Sequence, residues 1–437
     1  MTKISRRRML GGAVLLGAGA TGLPILAACG DDNGGGDGGG GGGSLRFAWW
    51  GNPDRDARTN SAVRLWSEKT GRNVGTEPAN WQDYWDAMTT QLAGNNPPDL
   101  MQQDYQYLKE YVENGALLAL DDYVPDPLDT SQIPEDTVNS GRFDGALYAI
   151  SMGYNTFALV SNQGVLADAG EEQPDDTITW SEFFDLAVRI GEKTPDGVFG
   201  SENAMNAMEP FECWLRQRGK ELYTADGQLA FDAADVEEWF NYWMEMIEAG
   251  GCPSTEADAE STGALEDRGV PKRTGAFDFH WSNVITAFYD LTEDPIGVSM
   301  YPQGDSPGSP NGQYYKASMY LAVPSGASDP EAAVDLMSAL IFDPEIASEL
   351  GFERGIPAAG PVREALEPDL SESERLSLEF VERLEGQVGP VPPPPPGAHG
   401  QIYEQFTYYS EEAGFGNLSV ADAAAQFYDE ANRLLEA

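Results

Sequence analysis

The chain alternates short apolar runs with longer stretches in which apolar residues recur every three or four positions. These are the patterns of strand and of amphipathic helix. Leu45-Arg46-Phe47-Ala48-Trp49-Trp50 predicts a strand that stops at Gly51. Asp54 to Lys69 carries Ala62, Val63, Leu65 and Trp66 on a helical repeat and ends at Gly71. Asn73 to Pro78 predicts a second strand and Tyr84 to Leu92 a second helix. Pro98 to Asp104 predicts a third strand that turns polar before another helix. Strand and helix taking turns predict a parallel sheet with crossover helices. Ligands in such sheets sit beyond the carboxyl ends of the strands, which sets Trp49, Trp50, Asp104 and Tyr105 along one edge.

Leu147 to Asn162 is a longer extended stretch. Helices then dominate, at Trp180 to Lys193, Pro210 to Arg218 and Ala234 to Ala249. Strands return at Thr274 to His280, Ile296 to Tyr301 and Tyr314 to Pro324. Helices follow from Pro330, interrupted by the prolines of Pro390 to Pro396. The order implies a first α/β unit that the chain leaves and later revisits. A proline run has a fixed φ and little freedom, so it reads as a stiff connector. A ligand for a proline-binding module is its sharper alternative.

The first segment alters the picture of where this body resides. Basic Arg6, Arg7 and Arg8 precede an apolar run rich in Gly and Ala that ends at Leu26-Ala27-Ala28-Cys29. A basic start, a modest apolar run and small residues before the cut describe an export signal over residues 1–28. The Arg6-Arg7 pair resembles a twin-arginine signal, and Leu26-Ala27-Ala28-Cys29 resembles a lipobox with Cys29 as the lipidated residue. Residues 29–44 are almost all Gly and Asp, a tether with nothing to bury. A body held at the outer face of the cell membrane is the expectation.

The formal net charge is −46, and the signal holds four basic and no acidic residues, which leaves the remainder near −50. A surface so acidic repels phosphates and excludes nucleic acid as a partner. It matches the solvated shell of a protein from a salty habitat. Beyond Cys29 stand Cys213 and Cys252. Outside the cell they are either a disulfide or two buried thiols. With only His280 and His399, and no zinc spacing, no metal site or cofactor is called for.

Several motifs in this order resemble the extracellular solute-binding proteins that serve carbohydrate ABC importers. They are Trp49-Trp50-Gly51, Gln91-Leu92-Ala93-Gly94 with Pro98-Asp99-Leu100-Met101-Gln102, and Gly153-Tyr154-Asn155-Thr156. Further on come Thr179-Trp180-Ser181-Glu182-Phe183, Trp281-Ser282-Asn283 and Arg354-Gly355-Ile356-Pro357. The resemblance runs from Cys29 to the C-terminus. It implies a two-lobe, periplasmic-binding-protein-like α/β fold of type II, with hinge strands between the lobes. Lobe one is then 45–154 plus 279–324, and lobe two 155–278 plus 325–437. It also implies a monomer that hands a sugar to a membrane permease. The run Val391 to Pro396 departs from the family pattern.

A sugar offers apolar C–H faces and a rim of hydroxyls, so its receptor needs flat aromatics beside planar polar groups. The candidates are Trp49, Trp50, Tyr84, Asp104, Tyr105, Tyr154, Asn155, Glu209, Trp214, Trp281, Asn283, Tyr315 and Arg354. Each has a plainer alternative. One of Trp49 and Trp50 faces the core if the strand alternates. Asp104 is placed to cap the next helix. Trp214 follows Glu209 at a spacing that also suits packing, and Ser282 is placed to start a helix. Trp66, Trp180, Trp239 and Trp243 sit on apolar helical faces and read as core. No G-x-S-x-G, H-E-x-x-H or P-loop is present, and no carboxylate pair is marked as catalytic. A metal receptor, a glycoside hydrolase and an adhesive lipoprotein are the competing classes.

Overall fold

Leu45–Trp50 (β1) enters the fold fully extended with five of its six residues buried. A computed structural model describes residues 44–259 and 264–436. The expected export signal, the lipid-bearing Cys29 and all of the tether except Ser44 lie outside the described residues.

The remaining strands follow as Val74–Ala79 (β2), Leu100–Gln103 (β3), Arg142–Phe143 (β4), Ala146–Leu147 (β5), Ala149–Asn155 (β6) and Phe157–Asn162 (β7). Then come Phe199–Ser201 (β8), Gly275–Trp281 (β9), Ile296–Ser299 (β10), Lys316–Ala322 (β11) and Ile356–Pro357 (β12). Six of them form one sheet in the order β12-β6-β11-β3-β1-β2, and four form a second, β10-β7-β9-β8. β4 and β5 make a small hairpin. Its two-residue turn, Asp144-Gly145, has positive φ at both positions, which Asp tolerates and Gly allows freely.

The expected parallel sheet holds only in part. β1 runs parallel to β2 and β3, but β11 is antiparallel to β3 and β6. The reason is the route of the chain, because β11 re-enters the first sheet from the other one, at the end where β6 leaves it.

Local chemistry sets the helices. Asn52 caps the helix Pro53–Thr70 by accepting from the Arg55 N–H, Pro53 starts it, and Gly71 ends it at φ 71°. Thr59, Ala62, Val63 and Trp66 face inward. Thr179 and Glu182 close a capping box on the helix Trp180–Lys193, and Asp232 and Asp235 on Ala233–Glu248. Trp180, Trp239 and Trp243 are core residues, as their spacing indicates.

One apolar cluster covers a face of the first sheet beneath the helices Pro53–Thr70 and Pro330–Phe342 and continues under the second sheet. Another fills the opposite face of the second sheet with the aromatics of Trp180–Lys193, Met208–Arg216 and Ala233–Glu248. A third, smaller cluster lies beneath Trp81–Ala93 and Tyr105–Glu113.

These sheets divide the chain differently from the expected lobes. β10 and the helix Ile285–Leu291, expected in lobe one, belong with the second sheet. The helix Pro330–Phe342, expected in lobe two, packs on the first. The helices His399–Gly414 and Val420–Leu435 pack into the aromatic cluster of the second. Alternation identifies a strand but not the neighbour it pairs with, so the partition was invisible in one dimension. The chain passes between the sheets at Thr156, the one residue between β6 and β7, and again at Tyr314-Tyr315 before β11. Gln313 ties these crossings together, its Nε2 donating to Thr156 Oγ1 at 3.2 Å and to the Phe157 carbonyl at 2.9 Å. No helix among the described residues is long and apolar enough to cross a membrane.

A candidate solute cleft between the two sheets

A cavity of about 350 Å³ opens between the sheets. On the first-sheet side it is lined by Asp104 and Tyr105 after β3, and by Lys316, Ala317 and Tyr320 on β11. The helix Met208–Arg216, Trp281 and Tyr314 line the other side. Tyr223, His399 and Tyr403 close that side, and Val391, Pro392, Pro393 and Pro395 form a further wall.

Asp104 does two jobs. It ends β3 and caps the helix Tyr105–Glu113, accepting from the Gln106 N–H at 3.0 Å. Burial pushes its carboxyl above the usual carboxylate range, while that hydrogen bond and nearby Lys316 hold it back. Tyr105 lies over Tyr320, ring centroids 6.3 Å apart, and its hydroxyl donates to the Pro392 carbonyl at 2.8 Å.

Glu209 and Glu212 stand one turn apart on the same helix. Glu209 Oε2 accepts from the Tyr403 hydroxyl at 2.8 Å, and Glu212 Oε2 from the Tyr314 hydroxyl at 3.0 Å. Burial pushes Glu212 up to about 7, against the opposing pull of Arg216 and Tyr314. His399 shares a 2.9 Å hydrogen bond between its Nδ1 and the Tyr223 hydroxyl, and burial lowers its pKa.

Trp281 ends β9, half-buried at the boundary of the sheets. Its ring meets Phe157 at 4.3 Å and Tyr314 edge-on at 5.9 Å. The Lys316 ammonium stands 4.7 Å from its centroid. The arrangement combines an aromatic plate, carboxylates with free lone pairs and an ammonium donor, drawn from both sheets.

Of the expected site residues, Asp104, Tyr105, Glu209 and Trp281 line this cavity. The others do not. Trp49 is fully buried, its Nε1–H donating to Asp56 Oδ1 at 2.8 Å. Trp50 packs against Trp81, Tyr84 and Trp85, and the Tyr84 hydroxyl donates to the Gln102 carbonyl at 2.5 Å. Alternation does send the two tryptophans to opposite faces, but helices cover both faces of the first sheet. Trp214 is buried, with the Arg218 guanidinium 3.2 Å above its ring.

Tyr154 and Tyr315 meet with ring centroids 4.7 Å apart and planes tilted by 45° beside the crossings, and the Tyr315 hydroxyl donates to the Val381 carbonyl. Asn155 pairs with Lys316 in the ladder, and its Oδ1 accepts from Ser282 Oγ at 3.5 Å. Asn283 is exposed on the short turn after Trp281. Arg354 is buried away from the cavity, its Nε donating to Gln102 Oε1 at 2.9 Å. Burial pushes it down to about 9. Cys213 and Cys252 are free buried thiols rather than a disulfide. The aromatic core holds both, and burial raises both thiols.

Glu212, Lys316, Tyr320, Tyr223, His399, Tyr403 and the prolines were not among the expected residues. A signal existed for some. Glu212 follows Glu209 by three and Tyr403 follows His399 by four, helical spacings that put each pair on one face. Lys316 follows Tyr314 by two, the strand spacing for one side.

A two-lobed α/β frame with such a cleft between its sheets defines a solute-binding protein. Residues 63–353 match the family model of bacterial extracellular solute-binding proteins, and the chain belongs to that family. It is 25% identical over 386 residues, 84% of each protein, to the diacetylchitobiose binding protein DasA of Streptomyces coelicolor. It superposes on an extracellular solute-binding protein of family 1 from Alicyclobacillus acidocaldarius with a TM-score of 0.81. That match has 26% identity and covers 90% of this chain and 98% of that one. A periplasmic oligogalacturonide binding protein from Yersinia enterocolitica shares the fold, with a TM-score of 0.77 and 21% identity over 90% of this chain and 99% of its own.

Proposed function

We propose that this protein is the substrate-binding component of an ABC importer, capturing a sugar or short oligosaccharide between its lobes for a membrane permease. The observation that carries the reading is Trp281 beside Asp104, Glu209 and Lys316 in one cleft with walls from both sheets. The aromatic face suits the C–H surface of a sugar ring, and ionised acceptors make strong hydrogen bonds to its hydroxyls. The likeness to the diacetylchitobiose binding protein DasA supports the same class of ligand.

Binding without catalysis fits the carboxylates. Glu209 and Glu212 project from one helix, each engaged by a tyrosine hydroxyl. A hydrolase needs two carboxyls facing each other across the scissile bond, and of the carboxyls on opposite walls Asp104 is engaged as the cap of its own helix. The protein acts as a monomer, tethered to the outer face of the membrane through a lipid on Cys29. Intact-mass analysis of the native product tests the anchor, and an unmodified Cys29 refutes it. A thermal-shift screen against mono- and oligosaccharides tests the ligand. No sugar raising the melting temperature, with another solute class doing so, would sink the reading.

A further inference from the structure

The run Val391–Pro396 has neither helix nor strand, and each of its residues is half-buried. Consecutive prolines lock φ and form a stiff rod rising roughly 3 Å per residue. This rod is fastened along its length. Just before it, the Gly389 N–H donates to the Gln313 carbonyl at 2.7 Å, and the Arg216 guanidinium donates to the Pro390 carbonyl at 2.6 Å. Within it, the Pro392 carbonyl accepts from the Tyr105 hydroxyl on the opposite side of the cleft. At its end, the His399 N–H donates to the Pro396 carbonyl at 2.9 Å and joins the rod to its helix.

Two cavities adjoin the rod. One is the solute cavity of about 350 Å³, and the other a cavity of about 480 Å³ lined by Lys109, Asp136, Arg142 and Phe143. Tyr105, Val391, Pro392 and Pro393 border both. These four residues therefore stand between the two cavities. The solute cavity alone is near the lower end of the ~300–1,000 Å³ of small-molecule sites.

We propose that the proline rod is a fixed wall that ends the solute cleft on this side and restricts it to saccharides of one or two rings. The proposal rests on the sugar reading above and adds chain-length selection to it. A flexible loop could yield to a longer ligand by changing its backbone dihedrals. Prolines have few dihedrals to change, and displacing them would strip the Pro392 carbonyl of its partner while still covered by protein.

Calorimetric titration with chitin-derived and starch-derived oligomers of two to six units tests this in the native protein. In the series that binds, affinity should be at least tenfold weaker for the tetramer and hexamer than for the dimer. Replacing Pro392, Pro393, Pro394 and Pro395 together by glycine should raise hexamer affinity at least tenfold relative to the dimer. Tyr105→Phe, which removes only the rod's anchor across the cleft, should move the ratio in the same direction. Equal affinity for dimer and hexamer in the native protein would overturn the wall and leave the sugar reading standing. So would an unchanged length profile in a folded glycine variant. If neither series binds, the titration is run on the saccharide that the thermal-shift screen selects and on its longer oligomers; if no saccharide binds and another solute class does, both readings fall. If the glycine variant fails to fold, the native profile and Tyr105→Phe decide the matter.

Discussion

The Tyr314 hydroxyl donates to Glu212 at 3.0 Å, linking the chain that crosses between the sheets to the helix that floors the cleft. Both groups are buried, so the bond forms in a medium that penalises charge on the carboxylate. Glu212 accordingly holds its proton up to about 7 in the folded protein, against an ordinary value of 4.5. Arg216 facing it favours the charged form, while Glu221 and Glu209 oppose it.

Stability should therefore fall as pH rises across that window. Below 4.5 both folded and unfolded chains carry the proton. Between 4.5 and about 7 the unfolded chain has released it and the folded one has not, so each pH unit costs up to about 1.4 kcal/mol. Above that range the contribution is flat. Glu212→Gln should lose this part of the pH dependence. Parallel slopes for both proteins in urea denaturation from pH 4.5 to 8 would show that Glu212 titrates normally.

Trp281→Ala should weaken sugar binding by about 2 kcal/mol or more, roughly a thirtyfold rise in Kd, because an aromatic anchor that the ligand covers carries a large share of such a site. Trp281→Phe should recover part of the loss. Calorimetry on folded variants measures both, and an unchanged Kd for the alanine variant would return Trp281 to the core.

Gly153→Ala should destabilise the first sheet. An added Cβ would sit 2.6 Å from the carbonyl oxygens of both Arg354 and Ile356, backbone atoms with no rotamer to change. A cost of about 1–3 kcal/mol is expected from such overpacking. Chemical denaturation reads it directly. A stability equal to wild type would mean that β12 can move away from β6 at little cost.

Closure is the fourth expectation. Contacts from both sheets to one solute favour the closed form, and only a ligand with differential affinity can shift that balance. A saturating sugar should raise the melting temperature with the logarithm of its concentration over Kd and shrink the radius of gyration in solution scattering. A tight ligand that stabilises the protein but leaves the scattering unchanged would argue against a two-lobe trap.

Much of this fold was legible in one dimension. The helical repeat of Trp180, Phe183, Leu186 and Ile190 identifies its helix and its buried face, and Thr179 with Glu182 identifies the start. Asp104 was legible twice, as a cap and as a residue at a strand end. These are local properties, set by 3.6-residue and 2-residue periods and by unsatisfied backbone groups within one turn. The resemblance in the ordered motifs pointed to the family; of the site residues Trp281 lay within them, and Asp104 and Tyr105 just beyond the one that ends at Gln102.

What the sequence could not determine was which side chains meet. Trp49 and Trp281 are both tryptophans at strand ends, yet Trp49 is fully enclosed and Trp281 borders the cleft. Covering helices decide the difference, and they come from distant parts of the chain. Tyr105 and Pro392 are 287 residues apart, so no periodicity relates them. Their meeting depends on three apolar clusters fixing where two sheets and their loops come to rest. Local pattern determined the elements of this protein, and long-range packing alone decided the cleft, because burial and hydrogen-bond satisfaction depend on every segment that arrives at the same place.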